Sequence, residues 1–512
     1  MRYFFFCLIF CVMQSFAQDK PMMTPYKPEP LQKVVIDRTS RYGSVLPANA
    51  QVNVPEGFRV SVFYAGSPLQ KPRFMTWSPD NTLHIADLSA QSIFALPDKN
   101  NDGIADTIVR IASNVVAHDI AFYKGSVYAA QERSVLRLQD LNNDGVYETR
   151  SEFISQIAEG ATQPGGGHTT RTILIDSIRQ KLYLSIGSRC NVCRADEPGS
   201  QDFQRALIEE WNLDGSGRTT YATGVRNAVG LLLRGGRVWA SNNGSDNQGN
   251  DIPPEWIDIV REKGFYGYPF AHSHGVFFPI TNSSPNDYKS LLPFNAFDSS
   301  KVQSMVQPAA LIQAHSAPMA LISGHAKMPE RYRNGVFVAL RGSWNRTPAT
   351  GGKIIYLDFD NEFDTTANFT SDFLTGFMTD SSKSSNWGWA RPVGLTFDTQ
   401  GRMYVGSDAN TRFILLVTPP SSTSSIMTES NRSSAPMLVV ENGELLVRWN
   451  MPSELIHRIS VMDIRGSIVA QFESGDVSGG IITLEGLSQG MYFLDVMMKD
   501  GSHQMSHAML MR

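Results

Sequence analysis

The sequence predicts an all-β fold: a six-bladed β-propeller followed by a small C-terminal β-sandwich. Three observations predict it. Apolar and polar residues alternate with a period of two along most of the chain, which marks half-buried strands rather than helices. One short phrase, a turn residue, a strand and a small or polar exit, recurs six times. Glycine (41) and proline (27) are abundant enough to turn many short strands.

The six copies are Asn81-Thr-Leu-His-Ile-Ala-Asp87, Gly125-Ser-Val-Tyr-Ala-Ala-Gln131, Gln180-Lys-Leu-Tyr-Leu-Ser-Ile-Gly187, Gly236-Arg-Val-Trp-Ala-Ser-Asn242, Gly335-Val-Phe-Val-Ala-Leu-Arg341 and Gly401-Arg-Met-Tyr-Val-Gly-Ser-Asp408. Strand repeats about 40–50 residues long indicate propeller blades, and wider spacing indicates insertions. The widest gap, between residues 236 and 335, marks the largest insertion. A two-sheet sandwich would not repeat one hairpin six times. Asp98-Lys-Asn-Asn-Asp-Gly103 and Asp140-Leu-Asn-Asn-Asp-Gly145 read as equivalent hairpin turns of adjacent blades. Pairing of Phe58 to Tyr64 with Phe413 to Val417 would close the ring and leave no open edge.

The flanking segments differ from the repeats. Arg2, the apolar run Tyr3 to Met13 and Ser15-Phe16-Ala17 read as an export signal over residues 1–17. Residues 18–50 are an N-terminal extension and 51–418 the propeller. A Ser/Thr/Pro linker covers 419–436, and 437–512 alternates as the small sandwich. The formal net charge of −4 gives no reason to expect nucleic acid as a partner.

Equivalent positions of a propeller's innermost strands face one central mouth. At the start of each innermost strand stand Arg73, His118, His168, Arg226, His315-Ser316 and Arg391. Converging positive charge costs free energy unless an anion answers it, and arginine forks suit carboxylates. A flat, polyanionic ligand fits the set. His168 follows Gly165-Gly-Gly167, where backbone can pass close to a ligand, and a neutral imidazole is the usual base for a hydroxyl proton. Arg226 and Asn227 open the next blade and could hold developing negative charge. Asn242 to Glu255 is rich in oxygen donors of the kind hard cations take. Cys190-Asn-Val-Cys193 has neither a second zinc-ligand pair nor the His that haem attachment needs, so a local disulfide is expected.

Several motifs together resemble the sorbosone dehydrogenase-like branch of the soluble PQQ-dependent glucose dehydrogenase superfamily. They are Gly166-Gly-His-Thr-Thr-Arg171, Gly187-Ser-Arg-Cys-Asn-Val-Cys193, Tyr221-Ala-Thr-Gly-Val-Arg-Asn227, Asn243-Gly-Ser-Asp246 with Pro253-Pro-Glu255, Val338-Ala-Leu-Arg-Gly-Ser-Trp-Asn-Arg346 and Arg391-Pro-Val-Gly394. The resemblance implies a PQQ–calcium enzyme oxidising a small sugar or aldehyde and passing electrons to an unidentified acceptor. It implies His168 as the base and Arg226 as the group stabilising the reduced quinone. His118, Asn227, Ser316, Arg341 and Arg391 would bind the cofactor, and the carbonyls of Gly244 and Ser245 its Ca2+. Arg341 stands where the glucose enzymes have lysine, His118 where they have glutamine, and Trp389 where they have a second arginine. In the tail, Val461-Met-Asp-Ile-Arg-Gly466 and Leu487-Ser-Gln-Gly-Met-Tyr-Phe493 resemble the sorting domain of type IX secretion, implying secretion machinery as a partner and a secreted or cell-surface location reached through the periplasm. Two other functions suit such a propeller: non-catalytic carbohydrate binding, and a calcium-dependent lactonase.

Overall fold

Each copy of the hairpin phrase forms a strand: Leu83–Asp87, Ser126–Ala130, Lys181–Ile186, Arg237–Asn242, Val336–Leu340 and Met403–Asn410. Both faces of these strands are largely buried, so continuous runs of β-branched, aromatic and small residues are stable there. The computed structural model describes residues 23–142, 144–158, 167–192, 204–273, 276–277 and 296–420. In the tail it describes 437–441, 444–448, 455–464, 467–473, 481–484, 486–499 and 503–510. The export signal, Gly165, Gly166, Cys193 and most of the linker lie outside the described residues.

The phrase strands are the second members of six antiparallel sheets that follow one another along the chain. The first strands are Pro72–Trp77, Asp119–Tyr123, Arg171–Asp176, Ala228–Arg234, Pro318–Ser323 and Ala390–Phe397. Each packs against the next, and the sixth packs against the first. The sixth sheet takes its outer strand from the other end of the repeat region: Phe413–Thr418 pairs antiparallel with Arg59–Ala65. Asp98 and Asp140 build matching turns, each carboxylate accepting the amides four and five residues on.

The long gap before the fifth phrase is an insertion between Glu255–Val260 and Ala310–Ile312, the third and fourth strands of the fourth sheet. It contains Ala296–Gln303, the one α-helix among the described residues, and lends Gly264–Phe265 to the third sheet as a fifth, parallel strand. Apolar clusters fill the space between neighbouring sheets. Phe337, Tyr356 and Phe373 of the fifth meet Met403 and Phe413 of the sixth. The extension joins this core through Ile36, Leu46 and Ala50.

The chain forms two compact units, residues 1–420 and 421–512. The second unit has a three-stranded and a four-stranded antiparallel sheet. In Gly490–Met498 alternate residues Tyr492, Leu494, Val496 and Met498 are buried, as period two requires. They share one core with Leu445, Val447, Ile459 and Val461.

Candidate active site

The first strands deliver polar residues to one end of the six sheets. A cavity of about 320 Å³ there is lined by His168, Arg226, Asn227, Gly244 and Arg341 of the sequence-predicted set, together with Arg73 and His315. His118, Ser245, Ser316 and Arg391 are buried and do not line it. Cys190 is disulfide-bonded, and its carbonyl accepts the Ser188 hydroxyl beside His168 at 2.7 Å. No described residue of the insertion lines the cavity.

His168 has a defined proton arrangement. Its Nδ1 lies 3.2 Å from the Ser188 carbonyl and 3.0 Å from Ser188 Oγ. The carbonyl can only accept, and the Ser188 hydroxyl proton is already given to Cys190. Nδ1 therefore carries the hydrogen, and Nε2 keeps a lone pair. Among the described residues Nε2 has no partner. Burial, and then the nearby Arg226, pushes the imidazole pKa down to about 3, so the ring is neutral at pH 7. Two guanidinium groups hold its backbone, since Arg171 Nη1 and Arg205 Nη1 both donate to the His168 carbonyl, at 2.9 and 3.2 Å.

Arg226 is saturated. Nε and Nη2 bind Asn191 O and Oδ1 at 2.9 and 3.0 Å. Nη1 binds the carbonyls of Asn243 and Gly244 at 3.2 and 2.5 Å, and Nη2 pairs with Asp246 at 3.1 Å. All five N–H groups have protein acceptors.

A second cluster shares one acid. Asp408, fully buried, accepts Arg73 Nη1, and Arg341 Nε at 2.9 and 3.1 Å. Arg73 Nε donates to His118 Nδ1 at 2.9 Å. Burial and Arg73 hold His118 well below the usual imidazole range, while burial, Arg73 and Arg341 lower Lys71. Arg391 turns toward the loop after the fifth phrase, donating to Gly342 O at 3.0 Å with its guanidinium 4.4 Å from the Trp387 ring centre.

Glu255 is buried at the cavity wall and accepts the Gly244 amide. Burial raises its carboxyl to about 8, against the lowering pull of Gly244 and Arg226. With Glu255 largely neutral, four cations (Lys71, Arg73, Arg226, Arg341) face three carboxylates: Asp246, Asp408 and Asp87, the last acting on Lys71. The excess favours an anionic ligand. Two residues at the cavity edge are strained: His315 (φ 63°) and Ala317 (φ 54°) flank Ser316 in left-handed conformations that cost non-glycine residues about 1–2 kcal/mol each.

A family model described as TrAA12-like matches residues 52–419, which include every residue of this cavity. The chain belongs to the TrAA12-like family. It is 27% identical over 353 residues to a protein of Borreliella burgdorferi, covering 67% of this chain and 85% of that one. It is 25% identical over 407 residues to the pyrroloquinoline quinone-dependent pyranose dehydrogenase of Coprinopsis cinerea, and the match spans 54% of that enzyme's length. The PQQ domain of the Coprinopsis cinerea pyranose dehydrogenase, solved in its holo form, superposes with a TM-score of 0.60 at 21% identity over 73% of this chain and 98% of that domain. A calcium structure of a Trichoderma reesei family AA12 protein gives a TM-score of 0.60 at 19% identity, over 75% and 100% of the two chains. At such identities these likenesses establish the fold.

The TrAA12-like cavity also uses residues that sequence reasoning left out of its site: Lys71, Asp246, Glu255, Trp344, Asn345 and, behind the wall, Asp408. Asp408 was readable as the polar exit of the sixth phrase. Glu255 and Trp344 lie inside quoted motifs, where burial and exposure distinguish them.

Proposed function

We propose that this TrAA12-like protein is a PQQ-dependent oxidoreductase of sugars, with the six sheets as the blades of a six-bladed propeller and the tail as a β-sandwich. The observation that carries the proposal is a neutral His168, its Nε2 without a partner among the described residues, in a cavity that has an excess of cations. The chemistry of the wall fits a tricarboxylate quinone, because Lys71, Arg73 and Arg341 outnumber Asp408 and Asp87, the two carboxylates that act on them. Arg341, Lys71 and Asn227 would hold the cofactor's acidic and carbonyl oxygens. His118, Ser316 and Arg391 would support it from behind the wall. The donors around Gly244 are oxygens, the set a calcium ion takes, and buried Ser245 Oγ has no partner among the described residues. A cation on the Gly244 carbonyl shares that oxygen with Arg226.

PQQ, when bound, supplies the two-electron acceptor. His168 Nε2 would take the substrate hydroxyl proton as the adjacent C–H bond breaks and its hydrogen leaves with both bonding electrons for that acceptor, and Ser188 keeps the ring oriented through Nδ1. Arg226 reaches a ligand oxygen by giving up one of its five protein acceptors, so its role is tied to the position of Asp246 and Asn191. The test is titration of the purified protein with PQQ, with and without Ca2+, followed by dye reduction over a panel of aldoses. Micromolar binding with a shifted cofactor spectrum and sugar-dependent reduction are expected. A folded, calcium-replete protein that binds no PQQ at micromolar concentration overturns the proposal.

The same reading has the protein exported and sorted by its tail to the cell surface or medium. Deletion of residues 421–512 is expected to leave an active propeller trapped in the periplasm. Normal surface delivery of the truncated chain refutes the sorting role.

A further inference from the structure

The cavity has one feature that the binding of an acidic cofactor does not use. Trp344 lines it, yet 57% of the residue is exposed. Every other large apolar side chain of the lining is buried or nearly so. An indole left in water is no rarity by itself; the loop that holds this one makes it unusual.

That loop is fixed on both sides of Trp344. On the N-terminal side Gly342 adopts φ 95°, and a Cβ there would collide with Trp387. Trp387 Nε1 donates to Ser343 O at 2.8 Å, and Ser343 and Thr350 exchange two hydrogen bonds, at 2.9 and 3.0 Å. On the C-terminal side Asn345 Nδ2 donates to Asp246 at 3.0 Å. Arg346 binds Asn250 O and Asp251 at 2.9 Å each, and Asn250 Nδ2 binds Thr347 O at 2.6 Å. So much ordering could have turned the indole inward. Instead an ordered loop presents an amphipathic plate beside a polar, cation-rich floor.

We propose that Trp344 is the residue that selects a pyranose ring as substrate, by stacking against the ring's C–H face while its hydroxyl edge meets the polar wall. This rests on the sugar-oxidoreductase reading of the same cavity. A ring sugar presents the matching pair of surfaces, an apolar face and a hydroxylated rim. A short open-chain aldehyde has no face to cover the indole and gains nothing from it.

The experiment is calorimetric titration of the purified full chain with a 1,5-anhydroalditol, a pyranose that cannot be oxidised at its first carbon, with and without bound PQQ. Wild type, W344F and W344A are compared. The expected result is at least a tenfold loss of affinity in W344A and recovery to within about threefold in W344F, with the PQQ spectral titration unchanged. In turnover, W344A raises KM for an aldopyranose by a similar factor, while KM for glyceraldehyde and kcat stay within about threefold. Equal pyranose affinity in wild type and W344A, or no pyranose binding to either, overturns the proposal. Trp344-dependent pyranose binding by a protein that takes up no PQQ supports Trp344 and overturns only the quinone reading.

Discussion

Replacing Asp408 by Asn separates the electrostatics of the cavity from its packing. Asp408 is the single carboxylate between Arg73 and Arg341, and it is completely buried. Asn has the same shape but no charge, so D408N leaves two guanidinium groups facing each other in a poorly hydrated site. Removing one partner of a buried ion pair costs about 3–5 kcal/mol. A unit of roughly 400 residues has an unfolding entropy near 0.8 kcal/mol/K, so the melting temperature should fall by about 4–6 °C, provided unfolding is reversible. Arg341→Gln should behave in the opposite sense. It leaves a one-to-one Arg73–Asp408 pair and should change stability by no more than about 1 kcal/mol, while weakening the binding of a polyanion. Differential scanning calorimetry of the two variants and their double mutant measures the asymmetry. Equal losses in D408N and R341Q, or no loss in D408N, would refute the claim that this wall holds excess positive charge for a ligand.

Other outcomes follow from the same contacts. His168→Ala should abolish turnover and leave PQQ affinity within a few fold, because Nε2 holds no part of the wall; equal loss of both would make the residue structural. Gly342→Ala should destabilise the protein by about 2–3 kcal/mol in chemical denaturation, since it combines an unfavourable φ with a clash against Trp387. Burial raises Asp258 to about 8, so the folded state keeps a proton that the unfolded chain has released. Stability from this group is complete below the ordinary carboxylate pKa and is lost as pH rises toward 8. His168, neutral when folded, acts in the reverse sense below about pH 6.5, where the unfolded chain gains a proton. Between pH 6.5 and 8 the Asp258 slope stands without that opposition. Asp258→Asn should flatten the decline by up to about 1.4 kcal/mol per pH unit, read by calorimetry across that range.

The repeat was legible because each second strand is buried on both faces and bounded by a turn, so similar environments selected similar residues six times. The mouth was legible for a related reason: Arg73, His168 and Arg226 lie at or within three residues of the starts of first strands. What escaped the sequence is made of contacts across long stretches of chain. Asp408 and Arg73 are 335 residues apart, and nothing local in either marks the other as its partner. Arg226 reads as a free cation in sequence, but the structure gives it five acceptors from Asn191 and residues 243–246. Arg391 reads as one more charge for the mouth, whereas it stacks on Trp387 and serves the loop of Trp344. The insertion has no period to read, and its described part adds a strand to the third sheet instead of a wall to the cavity.

The union of Arg59–Ala65 with Phe413–Thr418 also constrains how the protein is made. The earliest strand of the ring waits for the latest one, so a chain emerging from the ribosome holds an unpaired, aggregation-prone edge until synthesis of the whole first unit is finished. Stop codons between residues 66 and 412 therefore remove more than the missing piece. They strand the amino-terminal partner, and the damage appears at the opposite end of the chain from the break.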